Sequence, residues 1–343
     1  MSQSIEKRLE EKAKTEKDAQ QLWNQYSAMK DYLSRQYYPW IQANCPYFTD
    51  HGQTHIESVI ESSTQILSKL LSKSKRTIEF SSTDTYLLLC SIIWHDVGMV
   101  FKRSGHSKQI EPILDKVKEL GFPDPSAGRL VSLLVNAHEG RSGLNDLEEE
   151  RDVTIFGKTY TVYPRALAAI LRFSDEISEN RSRISSSLLA KGKIPVANLL
   201  YWEYANCIVA SRADPNRERV IVTIEIQKDK AISMFACPEE CQKYTNGQTS
   251  ISLIEYVIAR LEKMNNERSY CGKEFGRYAS IKSIVIRLEL LKREKCIKKY
   301  QDVIVLEDSG IGTEEPNQIE VFQRFFNKYP HWSPTKIKKC RAK

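Results

Sequence analysis

The fold and the chemistry of this chain are decided by residues 86–99, whose sequence is YLLLCSIIWHDVGM. Residues 86–94 are apolar on almost every side, so this segment predicts a helix buried in a larger core. His95 and Asp96 follow that helix directly, where an unpaired buried charge would be too costly. We therefore expect the His-Asp pair either to have polar partners or to bind a metal ion.

Four other histidines lie in short motifs with apolar neighbours: His51 and His55 in DHGQTHIESV, His106 in RSGHSKQ and His138 in NAHEG. With His95 they make five of the six histidines in the chain. His51 and His55 are four residues apart, so on one helix they would project from the same face. Imidazole and carboxylate groups together suit divalent transition metals. For any one of these histidines alone a structural role is the favoured interpretation, but the ordered set predicts a metal site.

In their order and apolar context, these motifs resemble those of the HD superfamily of metal-dependent phosphohydrolases. The resemblance covers roughly residues 45–185 and closes with LAAILRFSDEIS, which contains Asp175. It implies a mainly α fold, an HD-type helical bundle. It also implies that His55, His95, Asp96 and Asp175 hold a first metal ion.

The same resemblance implies roles for the remaining histidines. His106 and His138 match positions that hold a second metal ion in the binuclear branch of the superfamily and contact substrate phosphate in mononuclear branches. His51 is similar to the histidine with which cyclic-nucleotide phosphodiesterases protonate the leaving oxygen, so His51 and Asp96 are the candidate catalytic residues. One divalent ion is expected, with two as the alternative, and Mn, Fe, Co, Ni, Mg and Zn all remain open. Residues 48–52, FTDHG, are also similar to an HD subgroup of prokaryotic conflict systems, which implies antiviral defence.

Composition limits the class of protein. Of the 343 residues, 41% are apolar and 28% are charged, as in ordinary globular proteins. No apolar run approaches the roughly 20 residues of a membrane span, and the N-terminus is too charged for a signal peptide, so we expect a cytoplasmic protein without a membrane partner. The eight scattered cysteines predict reduced thiols, and Cys237 and Cys241 lack the further ligands of a zinc site.

Outside the motifs, the pattern of apolar, polar and β-branched residues predicts that the chain is divided into four segments. Residues 1–45 contain a long exposed N-terminal helix over 4–34, and residues 46–195 form the HD bundle, with helices near 106–120 and 127–138. Alternation about a Gly157-Lys158 turn predicts a β-hairpin over 152–163 inside the bundle, and Pro164 opens the helix that carries Asp175. Residues 196–310 predict a smaller α+β domain with strands at 219–226 and 283–290 around a helix at 252–264. Residues 311–343 predict a C-terminal helix and a basic tail.

The leading functional prediction is a metal-dependent phosphohydrolase acting on a nucleotide or a related small phosphate ester. Lys102, Arg103 and Arg183 follow the two ligand-bearing helices, where a pocket should open, and are the candidate phosphate-binding residues. The net charge of +7 lies outside the nearly neutral catalytic segment, which favours a compact substrate over a long polyanion. The first alternative is a nuclease that grips single-stranded nucleic acid through the basic C-terminal region. The second is a non-catalytic nucleotide sensor; an oligomeric state is not predicted.

Overall fold

The computed structural model describes residues 3–71, 79–103, 105–110, 113–114, 125–139, 143–242, 248–293, 295–307 and 320–340. The helices are α1 (Ile5–Ala13), α2 (Lys17–Gln36), α3 (Tyr38–Asn44), α4 (Gln53–Leu71), α5 (Ser82–Trp94), α6 (Pro125–Asn136), α7 (Pro164–Ile177), α8 (Ser186–Ala190), α9 (Val196–Cys207), α10 (Lys228–Ala231), α11 (Glu239–Gln242), α12 (Leu253–Glu274), α13 (Glu320–Lys328) and α14 (Pro334–Lys339). The strands are β1 (Arg151–Ile155), β2 (Lys158–Val162), β3 (Ile208–Asp214), β4 (Arg219–Gln227), β5 (Met234–Ala236), β6 (Ser250–Ser252), β7 (Ser283–Lys292) and β8 (Lys295–Glu307). The predicted fold class, a mainly α bundle with a hairpin followed by an α+β region, is confirmed.

Helix α5 lies at the centre of the bundle. Its N-terminus is closed by a capping box, in which the Ser81 hydroxyl accepts from the Asp84 N–H and the Asp84 carboxylate accepts from the Ser81 N–H. Every residue from Thr83 to Trp94 is buried, and α5 packs against α1, α2, α4, α6 and α7. The helix is apolar on all sides because it has neighbours on all sides, as the sequence predicted.

The N-terminal segment forms two packed helices, so the prediction of one exposed helix over residues 4–34 is wrong. Helix α1 ends at Ala13 and α2 begins at Lys17. The Tyr26 hydroxyl donates to the Glu6 carboxylate at 2.9 Å, which shows that α2 folds back along α1. Ile5 is fully buried, and its N–H donates to the Thr64 hydroxyl of α4. A narrow apolar stripe on these otherwise polar helices is enough to place them against the core.

The β-hairpin within the bundle is confirmed, with a small correction to its turn. Phe156 and Gly157 occupy the turn with φ of 53° and 74°, as a two-residue type I′ turn requires. The turn therefore lies one residue earlier than the predicted Gly157-Lys158. Pro164 opens α7 as predicted, and α6 ends two residues before the predicted boundary at 138. Of the helix predicted at 106–120, residues 111–112 and 115–120 lie outside the described residues, and His106–Gln109 form a short 3-10 turn.

The C-terminal region is built on a four-stranded sheet in the order β3-β4-β7-β8. Strands β4 and β7 are parallel, and α12 lies in the connection between them. The predicted strands at 219–226 and 283–290 and the helix at 252–264 are confirmed, with α12 continuing to Glu274. Helix α12 also packs along α7, so it belongs to both the sheet region and the bundle.

One continuous hydrophobic core joins the bundle and the sheet region in the described part of the chain. The predicted C-terminal helix is present as α13, while residues 308–319 before it lie outside the described residues. The predicted domain limits at 45, 195 and 310 stay predictions. Among the described helices, none combines the length and apolar character needed to cross a membrane.

Candidate metal centre

Six candidate ligands converge on one point from five parts of the bundle. His55 lies in the first turn of α4, His95 and Asp96 directly follow α5, and Asp175 lies in the last turn of α7. The other two are His106, at the start of the 3-10 turn, and His138, two residues after α6. All the imidazoles in this set are at least nine-tenths buried. Motifs that are separate in the sequence therefore lie close together in the structure.

A first donor set consists of His55, His95, Asp96 and Asp175. Nε2 of His55 lies 3.1 Å from Nε2 of His95, 3.3 Å from Asp96 Oδ2 and 3.1 Å from Asp175 Oδ1. Nε2 of His95 lies 3.2 Å from the same Asp96 oxygen. Metal-ligand bonds of about 2.1 Å place two donors of one ion about 3.0 to 3.4 Å apart. His55, His95 and Asp96 therefore have the spacing of a single cation site. Asp175 adds a carboxylate oxygen on the open side, 3.1 Å from His55 Nε2 and 3.9 Å from His95 Nε2.

A second donor set shares Asp96 with the first. Its other oxygen, Oδ1, lies 3.0 Å from Nε2 of His106, and the His106 and His138 rings are 5.4 Å apart between centroids. Ligand atoms of Asp96, His106 and His138 all lie within 4.8 Å of one another. Asp96 therefore presents one oxygen to each set, as a carboxylate that bridges two cations would.

Three of the imidazoles are oriented by the same backbone contact. Nδ1 of His95 lies 2.7 Å from the Ile92 carbonyl oxygen, Nδ1 of His106 lies 2.8 Å from the Arg103 carbonyl oxygen, and Nδ1 of His138 contacts the Val135 carbonyl oxygen. A carbonyl only accepts hydrogen bonds, so each Nδ1 carries a proton. The ring nitrogen that faces the centre is therefore Nε2, the atom available to a metal.

His55 is oriented by a side chain instead. The Ser178 hydroxyl donates to the Asp175 carbonyl oxygen at 2.8 Å, so its oxygen accepts from Nδ1 of His55 at 3.4 Å. This arrangement again directs Nε2 of His55 into the centre. Ser178 contacts both the His55 ring and the backbone of Asp175, and so links two candidate ligands on different helices.

The hydrogen bonding of the centre is incomplete without a cation. Oδ2 of Asp96 and Nε2 of His106 are buried, yet neither has a hydrogen-bond partner among the described residues. Buried polar atoms normally have partners. Asp96 Oδ2 therefore fits a ligand of a divalent ion in the first donor set, and His106 Nε2 fits a ligand in the second.

The ionisable groups of the centre shift one another's pKa values. Burial alone would lower the pKa of His106, but the carboxylates of Asp96 and Glu139 raise it to about 10. His106 in turn lowers the pKa of Glu139 to about 2, against the effect of burial. Burial and then the neighbouring His95 and His106 lower the pKa of His138 to about 4. The proton of His106 thus occupies the place where a metal cation would supply positive charge.

Gly98 is needed where the chain turns after the His95-Asp96 pair. Helix α5 ends at Trp94, and Gly98 lies in the following 3-10 turn, Val97–Val100. A Cβ atom at residue 98 would lie 2.0 Å from the His106 carbonyl oxygen. Only glycine lets these two backbone segments approach closely enough to place His106 beside Asp96.

His51 lies beside the first donor set but not on its helix. Helix α4 begins at Gln53, so the predicted one-turn helical relation between His51 and His55 is wrong, although their ring centroids are 5.6 Å apart. Nδ1 of His51 contacts the Thr49 carbonyl oxygen. Burial, followed by the positive charge of Arg183, holds the pKa of His51 well below its usual value. His51 therefore faces the centre as a neutral imidazole.

The three predicted phosphate-binding residues have different surroundings. The Arg183 side chain is buried, and it donates to the Asp50 carbonyl oxygen at 2.8 Å and to Glu179 at 3.1 Å, so it fixes the loop before His51. Arg103 is exposed, and its guanidinium lies 4.2 Å from the centre of the Phe48 ring. Lys102 is exposed. Arg103 and Lys102 remain candidates for a phosphate contact, while Arg183 already has two protein partners.

Sequence reasoning missed Glu139 and Ser178. Oε1 of Glu139 lies 2.8 Å from Nδ1 of His106, and its other oxygen accepts from the Ser107 hydroxyl at 2.8 Å. The acidic residue beside His138 in NAHEG was the available signal, because carboxylates commonly orient metal-binding imidazoles. Ser178 gave no comparable signal, since its contact depends on how α4 and α7 pack.

Comparisons with known proteins bear on this geometry. The family model HD-CE matches residues 45–248, which is more than half of the chain and extends beyond residue 185, where the sequence resemblance was expected to end. Searches of curated proteins and of solved structures gave no significant match. An HD-type bundle around a buried His/Asp centre is the framework of a metal-dependent hydrolase. The chain belongs to the HD-CE family, whose members are HD-domain-like proteins.

Proposed function

We propose that this protein is a metal-dependent phosphohydrolase that cleaves a phosphoester or phosphoanhydride bond of a nucleotide or related small phosphate ester. The observation that carries the proposal is the double donor set joined by Asp96, with imidazole Nε2 atoms directed inward. When bound, divalent ions supply Lewis acidity to a water molecule and to a phosphoryl oxygen. Manganese, iron, cobalt, nickel, magnesium and zinc are all compatible with this set of nitrogen and oxygen donors.

The chain's own residues would act around that centre. His51 has its Nδ1 occupied by Thr49, which leaves Nε2 as the atom that exchanges a proton with water or with the leaving oxygen. The carbonyl oxygen of Arg103 orients His106, so Arg103 lies next to the second donor set. Its guanidinium is well placed to neutralise a phosphoryl oxygen of the substrate. Arg183 would hold the His51 loop rather than the substrate. The resemblance of residues 48–52 to conflict-system proteins supports a role in antiviral defence.

The test is hydrolysis by chelator-treated protein reloaded with each divalent metal. Nucleoside mono-, di- and triphosphates, cyclic nucleotides and short single-stranded oligonucleotides form the panel, and mass spectrometry identifies the products. Release of phosphate or nucleotide in the presence of one metal supports the proposal. Protein that binds metal but cleaves none of these compounds would favour the sensor alternative. The His331→Ala variant is a matched control, because His331 is the histidine outside the centre.

A nuclease is the second candidate, and the C-terminal basic surface favours it. This surface comprises Lys292, Arg293, Lys295, Lys298, Lys299, Lys336, Lys338 and Lys339. All eight side chains are exposed, and none forms an ion pair with a described residue. Its two parts are joined where the Tyr300 hydroxyl donates to the Lys336 carbonyl oxygen at 3.1 Å. Nucleic-acid binding would weaken steeply with salt, and Lys298→Glu with Lys299→Glu would abolish it without changing nucleotide hydrolysis.

A further inference from the structure

Helices α7 and α12 are joined along their length by ion pairs in one antiparallel register. The three levels of this ion-pair ladder are Arg165 with Glu274 at 3.7 Å, Arg172 with Glu267 at 2.6 Å, and Glu176 with Lys263 at 2.6 Å and Arg260 at 3.1 Å. The middle level is bidentate, since Nε and Nη2 of Arg172 donate to separate oxygens of Glu267. The ladder fixes the rotation of α7 against α12 as well as its position.

The last level of the ladder lies next to the metal centre. Glu176 directly follows Asp175, and its side chain is only 8% exposed, with both carboxylate oxygens bound by α12. The Arg260 guanidinium also lies 5.5 Å from the centre of the Tyr204 ring, which restrains it from the other side. Two cations from the C-terminal region therefore hold the residue adjacent to a candidate ligand.

The position of this level matters because α7 ends one residue later, at Ile177. The last turn of a helix lacks intrahelical partners for its carbonyl oxygens and is the part most prone to fraying. Asp175 must present Oδ1 to Nε2 of His55 from this turn. An anchor on Glu176 restrains the turn and hence the direction of the Asp175 side chain.

We propose that Arg260 and Lys263 are positioning residues for the metal centre, acting through Glu176 to hold the Asp175 carboxylate against His55 and His95. Neither contacts the centre itself. The inference rests on the proposed metal-dependent function. Under this proposal, the α+β region helps to complete the metal site of the bundle, a role that the sequence analysis did not predict.

Simple electrostatics and positioning predict opposite results when Arg260 is removed. Loss of a positive charge near the centre should tighten the binding of a cation. Loss of the anchor should weaken it, because Asp175 would no longer be held in place. We expect the Arg260→Met, Lys263→Met double variant to raise the Kd for Mn²⁺ roughly 10- to 100-fold, the usual range for residues that orient metal ligands.

The other levels of the ladder supply matched controls. Arg165→Met and Arg172→Met each remove one positive charge, as Arg260→Met does, but from the far and middle levels. The Kd for Mn²⁺ and the Tm are measured for each full-length variant, prepared without metal. Arg172→Met should lower Tm most, because the Arg172 side chain is the most buried arginine of the three. The Arg260 variants should nevertheless raise Kd most, and Arg260→Lys should restore part of the affinity.

Two results would overturn the inference. One is a Kd that is unchanged or lower in the Arg260 and Lys263 variants; the other is a rise in Kd that follows the loss in Tm across all three levels. Lys263→Met alone keeps the test decisive if Arg260→Met does not fold, since the Lys263 side chain is 45% exposed. Wild-type protein that binds none of the compatible divalent metals would instead refute the metal centre.

Discussion

Glu139 holds His106 from the side of the ring that faces away from Asp96, with Oε1 2.8 Å from Nδ1. The carboxylates of Glu139 and Asp96 therefore contact the two ring nitrogens of His106. The imidazole cannot rotate without losing one of these contacts. A carboxylate in this position also makes the imidazole a stronger ligand. The second donor set consequently depends on a residue that is not itself a donor.

Glu139→Ala should weaken binding at the second donor set roughly 10- to 100-fold while leaving the first set occupied. Calorimetric titration with Mn²⁺ would resolve the two affinities. Glu150→Ala, which removes an exposed carboxylate, is the control. Equal weakening at both sets would show that Glu139 acts through overall charge rather than by orienting His106.

His95→Ala with Asp96→Ala should abolish metal binding, because Asp96 belongs to both donor sets and His95 to the first. Elemental analysis of the purified variant should find no stoichiometric transition metal. His331→Ala should retain the wild-type content. The assignment of the centre fails if the double variant keeps its metal.

His51→Gln should retain full metal content and lower turnover by roughly two to four orders of magnitude, the usual effect of losing an acid or base. His51 lies beside His55 without belonging to either donor set, so its loss should leave the ligands in place. Metal content, Tm and turnover are measured on one preparation. A lower Tm with unchanged turnover would assign His51 a structural role only.

Gly98→Ala should displace His106, since the added Cβ would lie 2.0 Å from its carbonyl oxygen. We expect a loss of about 1 to 3 kcal/mol in the free energy of unfolding, as for other overpacked sites, together with weaker binding at the second donor set. Gly276→Ala is the matched control, because a Cβ there meets no atom within 4 Å. Normal metal binding in Gly98→Ala would mean that the backbone adjusts without moving His106.

The sequence predicted the features that are encoded within single segments. Residues 86–94 are apolar throughout and form the central helix, and the alternation around residue 157 forms a hairpin. The identities of the six candidate ligands came from motif order, and the structure brings all six together. Their roles as ligands stay predictions that the variants above test.

The features that the sequence did not predict depend on contacts between distant segments. The division between α1 and α2 at Lys14–Glu16 contains no proline or glycine, so no local signal marked it. The contact between Glu139 and His106 requires α6 and the 3-10 turn to be placed first. The pairing of α7 with α12 joins residues that lie 84 (176 to 260) to 109 (165 to 274) positions apart, which no periodicity within either helix specifies.

Because α7 and α12 are far apart in the sequence, the residues that they contribute to the site are synthesised at different times. Asp175 is translated well before Arg260 and Lys263, and the parallel pairing of β4 with β7 cannot form until α12 has been made. A nascent chain that has just emerged through α7 therefore holds every candidate ligand but lacks the partners that anchor Glu176. If Arg260 and Lys263 position Asp175 as proposed, the metal site of a newly made chain is complete only after α12 has been synthesised.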